Sequence, residues 1–185
     1  ITLVELLLNM AAIDRLQIKL WRGLMRAFKV LLVFSLIILL ASCSSFRHSQ
    51  LPKVTNIQVF KADRTMLLIN QGVVVKKYNF KLGFAPIGKK QFEGDGKTPE
   101  GDYYIDRKNP DSKYYLSVGI SYPNISDRAN AKGKNPGGDI FIHGTPRRYW
   151  FTRKDWTWGC IAVSNREIEE IYSMVEIGTK ISIFP

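Results

Sequence analysis

Between residues 54 and 184 the chain is punctuated so often that short strands are almost the only elements it can form. Residues 54–60, 65–69 and 73–82 alternate or cluster β-branched and aromatic side chains between Asn, Gly and Asp, as successive strands of a meander do, with Asn70-Gln71-Gly72 as a hairpin turn. Residues 103–105, 115–118, 140–142, 161–163 and 180–184 read as further short strands. Two long loops, 83–101 and 123–138, hold eight glycines and four prolines, and long loops on a β scaffold are where sites are built. One helix is predicted, over about residues 166–175. Ser164 and Glu167 form an S-x-x-E capping box, Ile168, Ile171, Tyr172 and Val175 recur at helical spacing, and Gly178 ends the segment.

The expected fold is therefore mainly β, a sandwich or mixed sheet with one packed helix near the C-terminus. With 185 residues there is room for one ordinary domain, placed at 54–185, and no internal repeat or second domain is visible. A composition of 45% hydrophobic and 23% charged residues argues against wholesale disorder and against a polytopic membrane protein.

The first 50 residues do not belong to this pattern. Residues 30–41 form a 12-residue apolar run behind Met25, Arg26 and Lys29. A spanning helix needs about 20 apolar residues, so the run reads as the core of a signal peptide over 25–42. Its exit, Leu40-Ala41-Ser42-Cys43, resembles the lipobox of bacterial lipoproteins, in which Cys43 would carry a diacylglycerol. Residues 43–53 would be a tether, and Ser44 after the Cys points to the periplasmic face of the outer membrane. Residues 1–24 lie upstream of the true start or extend the basic n-region, and carry no assigned function.

Residues 43–185 hold 22 Lys+Arg against 14 Asp+Glu, a net of +8. An exported basic domain without a helix-turn-helix, finger or RNP-like run is not expected to bind nucleic acid. Peptidoglycan, with its free stem-peptide carboxylates, and anionic head groups are the polymers at hand.

The chain has two cysteines and two histidines. With Cys43 acylated and His48 in the tether, the domain keeps one of each, Cys160 and His143, and no metal or cofactor is expected. A thiol needs a neighbouring base, because at an ordinary pKa of about 8.5 little thiolate exists at neutral pH. His143 ends one predicted strand and Cys160 begins another, so the loop between them can return the chain and join the two. Gly144 leaves its carbonyl free to orient the imidazole N–H. Gly159 permits a tight turn that aims backbone N–H groups at an oxyanion.

Ile142-His143-Gly144 followed by Asp155-Trp156-Thr157-Trp158-Gly159-Cys160-Ile161-Ala162-Val163 resembles the catalytic motif of L,D-transpeptidases of the YkuD type. Gly83-Phe84-Ala85-Pro86-Ile87-Gly88-Lys89, the segment 94–103 with its Thr98-Pro99-Glu100-Gly101, and the closing 178–185 are similar to the family's flanking segments, so the likeness covers nearly all of 54–185. Many relatives carry His before the Gly-Cys and Arg two residues after the Cys, where this chain has Trp158 and Ala162. Arg147, Arg148, Arg153 and Lys154 in the intervening loop are candidates to contact substrate instead.

The resemblance implies cysteine acyl transfer on peptidoglycan stem tetrapeptides, in cell-wall cross-linking and cell shape. Cys160 would be the nucleophile and His143 the base, with Gly144, Thr157, Trp158 and Gly159 as orienting or oxyanion support. The acceptor would be a neighbouring stem peptide or a cell-wall-linked protein. The alternatives are an L,D-carboxypeptidase or related murein hydrolase with the same dyad, and a non-catalytic peptidoglycan-binding lipoprotein.

Overall fold

A computed structural model describes residues 52–185 and, apart from them, Met25 alone. The expected signal segment, Cys43, His48 and most of the tether lie outside the described residues. Eight strands follow in chain order: β1 Asn56–Phe60, β2 Thr65–Asn70, β3 Val73–Asn79, β4 Gly101–Ser112, β5 Tyr115–Ile120, β6 Phe141–His143, β7 Ile161–Ala162 and β8 Lys180–Phe184. Helix α1, Ile125–Asn130, precedes β6, and helix α2, Asn165–Met174, precedes β8.

The strands form one sheet in the order β3-β2-β1-β8-β4-β5-β6-β7. The first three are the expected antiparallel meander, and Gln71 and Gly72, both with positive φ, make the two-residue turn whose twist matches the strands it joins. β8 is inserted centrally, parallel to β1 and antiparallel to β4. The sheet curls until its ends meet. Lys81, just past β3, exchanges backbone hydrogen bonds of 2.8 Å in both directions with Ala162 of β7. That closure removes an exposed edge at the strand that follows Cys160.

Ile57, Val59, Met66, Leu68, Tyr103, Ile105, Ile142, Ile161, Ile168, Ile171, Ile181 and Ile183 belong to one contiguous buried core. α2 lays Ile168, Ile171 and Met174 against it and contacts β5 and β6. Its capping box is present: Ser164 Oγ accepts from the Glu167 N–H, and the Glu167 carboxylate accepts from the Ser164 N–H at 2.8 Å. The helix stops at Met174, and Gly178, with φ of 91°, belongs instead to the turn into β8.

Three local expectations need correction. The strand predicted at 103–105 runs from 101 to 112, because the polar stretch after Ile105 pairs with β5 beyond the core. Pro110, which has no N–H to give, falls where that ladder shifts register. The strand predicted over 73–82 ends at Asn79, where the chain leaves β2 and crosses to β7. The loop at 123–138 contains α1, too short for a periodicity signal but carrying its own capping box between Asn124 and Asp127.

Candidate active site

Ile142 of β6 and Ile161 of β7 are paired and belong to the core. Side chains alternate across a strand, so His143 and its partner Ala162 face the opposite side. Continuing the same parallel register back two residues puts Cys160 on that face too, beside Phe141. The sulfur accepts a hydrogen bond from the Phe141 N–H and lies 3.5 Å from the Asp139 carbonyl oxygen. Imidazole and thiol thus sit on one face of adjacent parallel strands, offset by one two-residue step, roughly 7 Å along the strand.

His143 is 2% exposed, and its Nδ1 is 2.7 Å from the Gly144 carbonyl oxygen. A carbonyl only accepts, so Nδ1 carries the proton and Nε2 keeps its lone pair. Tyr114 stacks on the imidazole with ring centroids 4.4 Å apart, and Trp156 presents an edge at 5.7 Å. Burial holds the imidazole below its ordinary pKa of 6.5, and the Gly144 bond only partly opposes this. Burial likewise pushes the Cys160 thiol up, assisted by the Asp139 charge and opposed by the Phe141 N–H and Lys90. Both shifts favour the uncharged forms, thiol and neutral imidazole.

The turn before the thiol is tied by Thr157, which is buried. Its Oγ1 donates to the Cys160 carbonyl at 2.7 Å and accepts from the Gly159 N–H at 3.2 Å. Gly159 has φ of 122°, and a Cβ there would lie 2.5 Å from the Lys97 carbonyl oxygen, so only glycine fits. A Cβ on Gly144 would come within 2.6 Å of both Asn165 Oδ1 and the Tyr114 carbonyl.

Trp158 is 70% exposed and meets Phe84 edge to face, with centroids 4.9 Å apart. Arg147 and Arg148 are exposed, their guanidinium groups lying over the rings of Trp150 and Tyr149 in their own loop. Arg153 is exposed as well, and its carbonyl accepts from Lys81 Nζ at 3.0 Å. None of the three guanidinium groups is brought against the thiol or the imidazole. Among the described residues no three of His, Cys, Asp and Glu gather as metal ligands.

Other site residues were not singled out from the sequence. Asp155 accepts from the Leu82 N–H at 2.8 Å and pairs with Arg64 at 2.6 Å, fastening the His–Cys loop to the strand edge. Asn165 Oδ1 accepts from the Thr145 N–H at 2.9 Å. Tyr114 and Trp156 enclose the imidazole, and only Trp156 and Asp155, as members of the quoted motif, carried any signal.

Residues 55–183 match the YkuD family, described as the L,D-transpeptidase catalytic domain. The Escherichia coli K12 protein named "Putative L,D-transpeptidase YafK" is 32% identical over 142 residues, covering 70% of this chain and 53% of that protein. The helical cell shape determining protein Pgp2 from Campylobacter jejuni superposes with a TM-score of 0.58 at 28% identity, over 71% of this chain and 48% of its own. Bd1075 from Bdellovibrio bacteriovorus shares the fold, with a TM-score of 0.53 at 24% identity over 74% of this chain and 50% of its own. The chain spans about half the length of the curated relatives it matches. With the family matched over most of the described residues, and with the Cys and His of its motif on one face of adjacent strands, the chain belongs to the YkuD family of L,D-transpeptidase catalytic domains.

Proposed function

We propose that the chain is a cysteine acyltransferase acting on the stem tetrapeptides of peptidoglycan. The observation that carries this reading is the 2.7 Å contact between His143 Nδ1 and the Gly144 carbonyl, which leaves Nε2 as a base on the same strand face as the only thiol of the domain. Cys160 Sγ attacks the carbonyl at the L-centre of the third stem residue while its proton passes to Nε2. A carbon–sulfur bond forms, the peptide C–N bond breaks, and the proton leaves with the amine of the terminal D-residue. The thioester is then resolved by an acceptor whose proton goes to Nε2 as the carbon–sulfur bond breaks, and imidazolium returns it to the thiolate. Gly159 spends its N–H on Thr157 Oγ1, so the Cys160 N–H is the donor of that pair available to the oxyanion.

An amine acceptor, from a neighbouring stem or a cell-wall-linked protein, makes the protein a transpeptidase; water makes it a carboxypeptidase. The test is incubation of the purified protein with stem tetrapeptides, followed by separation of cross-linked dimers from trimmed tripeptides. Unaltered tetrapeptide, with no acyl adduct on Cys160, overturns the reading. The likeness to a cell shape determining protein supports a role in shaping the wall. The lipobox-like Leu40-Ala41-Ser42-Cys43 supports a lipoprotein held by Cys43 at the periplasmic face of the outer membrane. Cys43→Ala is expected to release the protein from sedimented membranes, since each buried methylene of an acyl chain contributes about 0.8 kcal/mol.

A further inference from the structure

The loop between His143 and Cys160 carries four cations, Arg147, Arg148, Arg153 and Lys154, against one carboxylate, Asp155, which Arg64 already pairs at 2.6 Å. All four cations are exposed, and among the described residues none of them forms an ion pair. The chemistry proposed for the dyad leaves them unused. Between them two apolar rings stand in water: Phe151 is 94% exposed and Trp150 52%. A single exposed ring is ordinary, but adjacent exposed rings bracketed by cations form a patch that calls for a partner. Arg147 lies over the Trp150 ring with its guanidinium carbon 5.6 Å from the centroid, and Arg148 lies over Tyr149 at 5.0 Å. A guanidinium resting on a ring face keeps its in-plane N–H donors for other acceptors. The backbone of the tip is tied as well. The N–H groups of Tyr149, Trp150 and Thr152 donate to the carbonyls of Pro146, Arg147 and Tyr149, and Trp150 Nε1 donates to the Thr145 carbonyl at 2.8 Å. Charge and apolar surface are thus presented together on an ordered turn, so a partner meets them with little further entropy to lose.

We infer that the tip of this loop, residues 147–154, docks on an anionic phospholipid surface. Lipid phosphates accept from the guanidinium and ammonium groups, while the rings of Trp150 and Phe151 enter the boundary between head groups and acyl chains. The long apolar stems of Arg and Lys let the charged ends stay at the head groups as the rings go deeper. Peptidoglycan offers carboxylates to the same cations but has no apolar interior. Phe151 has no polar side-chain atom, so its burial is favourable only where such an interior exists. An almost wholly exposed Phe among four unpaired cations therefore fits a bilayer better than a wall polymer. The inference does not depend on the chemistry at Cys160.

The test is amide hydrogen exchange of the full-length chain reconstituted on two kinds of vesicle, phosphatidylcholine alone and phosphatidylcholine with about 30% phosphatidylglycerol. Whatever the N-terminal residues contribute is common to both, so lipid charge alone separates them. Exchange over residues 147–154 is expected to slow about tenfold on the anionic vesicles relative to the neutral ones, and the difference should shrink at about 0.5 M salt, where surface charge is screened. Arg147→Gln combined with Arg148→Gln should bring the slowing to about twofold or less, since each cation near such a surface is worth roughly a fivefold change. Phe151→Ser should do the same at unchanged charge, which a purely ionic contact would not show. Equal exchange on the two vesicles, or slowing that survives both the double variant and Phe151→Ser, overturns the inference. Protection of 147–154 by purified peptidoglycan sacculi with none on anionic vesicles also overturns it, and assigns the patch to the wall instead.

Discussion

Two loops meet at the proposed active site, and they are held by opposite means. The loop before β4, residues 83–100, is fastened by buried charge. Lys61 is 2% exposed and donates to the carbonyls of Gly88 and Thr98 and to Glu100 at 2.7 Å, while Lys90 donates to the Phe92 carbonyl and to Asp95 at 2.9 Å. Burial raises the Asp95 carboxyl, but N–H bonds from Gln91, Lys97 and Phe92 and the Lys90 contact outweigh it, leaving its pKa below the usual value. The loop between His143 and Cys160 is held by rings: Tyr149 on Trp156, Trp156 against His143, and Trp150 Nε1 on the Thr145 carbonyl at 2.8 Å. Its one ionic fastening among the described residues is Asp155 to Arg64. A buried ion pair tolerates no loss of a partner, whereas ring stacking degrades gradually, so the first loop should fail by unfolding and the second by losing chemistry.

The largest effect expected is at the ring-held loop. His143→Ala should lower turnover about 10³-fold, near the middle of the range for a general base, with stability altered far less than activity. Comparable turnover in the variant, measured as tetrapeptide cleavage, would remove His143 from the mechanism. Next is Lys61→Met, which strands Glu100 without its cation and should cost about 3 kcal/mol in chemical denaturation, with the folded fraction retaining the reactivity of Cys160 toward a thiol reagent. A loss of only a few tenths would put the ionic loop on the same footing as the other.

Smaller effects sharpen the contrast. Asp155→Asn keeps an acceptor for the Leu82 N–H but weakens the Arg64 pair, and should cost about 1 kcal/mol of stability, because Arg64 is one-third exposed. The His143 pKa is lowered by burial, so on acidification the unfolded chain takes up its proton first. The stability this group contributes is complete above about pH 6.5 and is lost as pH falls through the lower folded value. The acid limb of kcat/KM should accordingly lie below 6.5, and a limb at or above 6.5 would contradict the buried, neutral imidazole. Trp158→Phe should do least, raising KM about two- to threefold with the pH profile unmoved, since an exposed ring that only donates an N–H cannot serve as base.

The sequence pattern carried most of the strands, the meander and its turn, the capped helix α2, and the mainly β class. It missed the extension of β4 because Asp106-Arg107-Lys108-Asn109-Pro110 lacks alternation, and strand pairing beyond a core does not need it. It missed α1 because six residues leave no period to read. Cys160 and His143 were legible as the only thiol and imidazole of the domain. Tyr114, Asn165 and Arg64 were not, because each reaches the site through a fold contact that local spacing does not encode. The Gly159 N–H was expected to face an oxyanion, and its bond to Thr157 Oγ1 depends on a turn geometry no composition reveals.

The central position of β8 sets the order in which the molecule can assemble. Residues 180–184 lie between β1 and β4, and the pairing of Lys81 with Ala162 joins the two ends of the strand order. During synthesis, a chain that has released residue 160 but not residue 184 can form the β1–β3 meander and the β4–β5 hairpin, both local. It still lacks the strand that pairs with both β1 and β4. The β1–β8 pairing is the most distant in sequence, so the step that carries the largest loop-closure entropy comes last. The β6–β7 pairing that sets Cys160 beside His143 is thus local, while the closed sheet that supports it waits for the last strand of the domain.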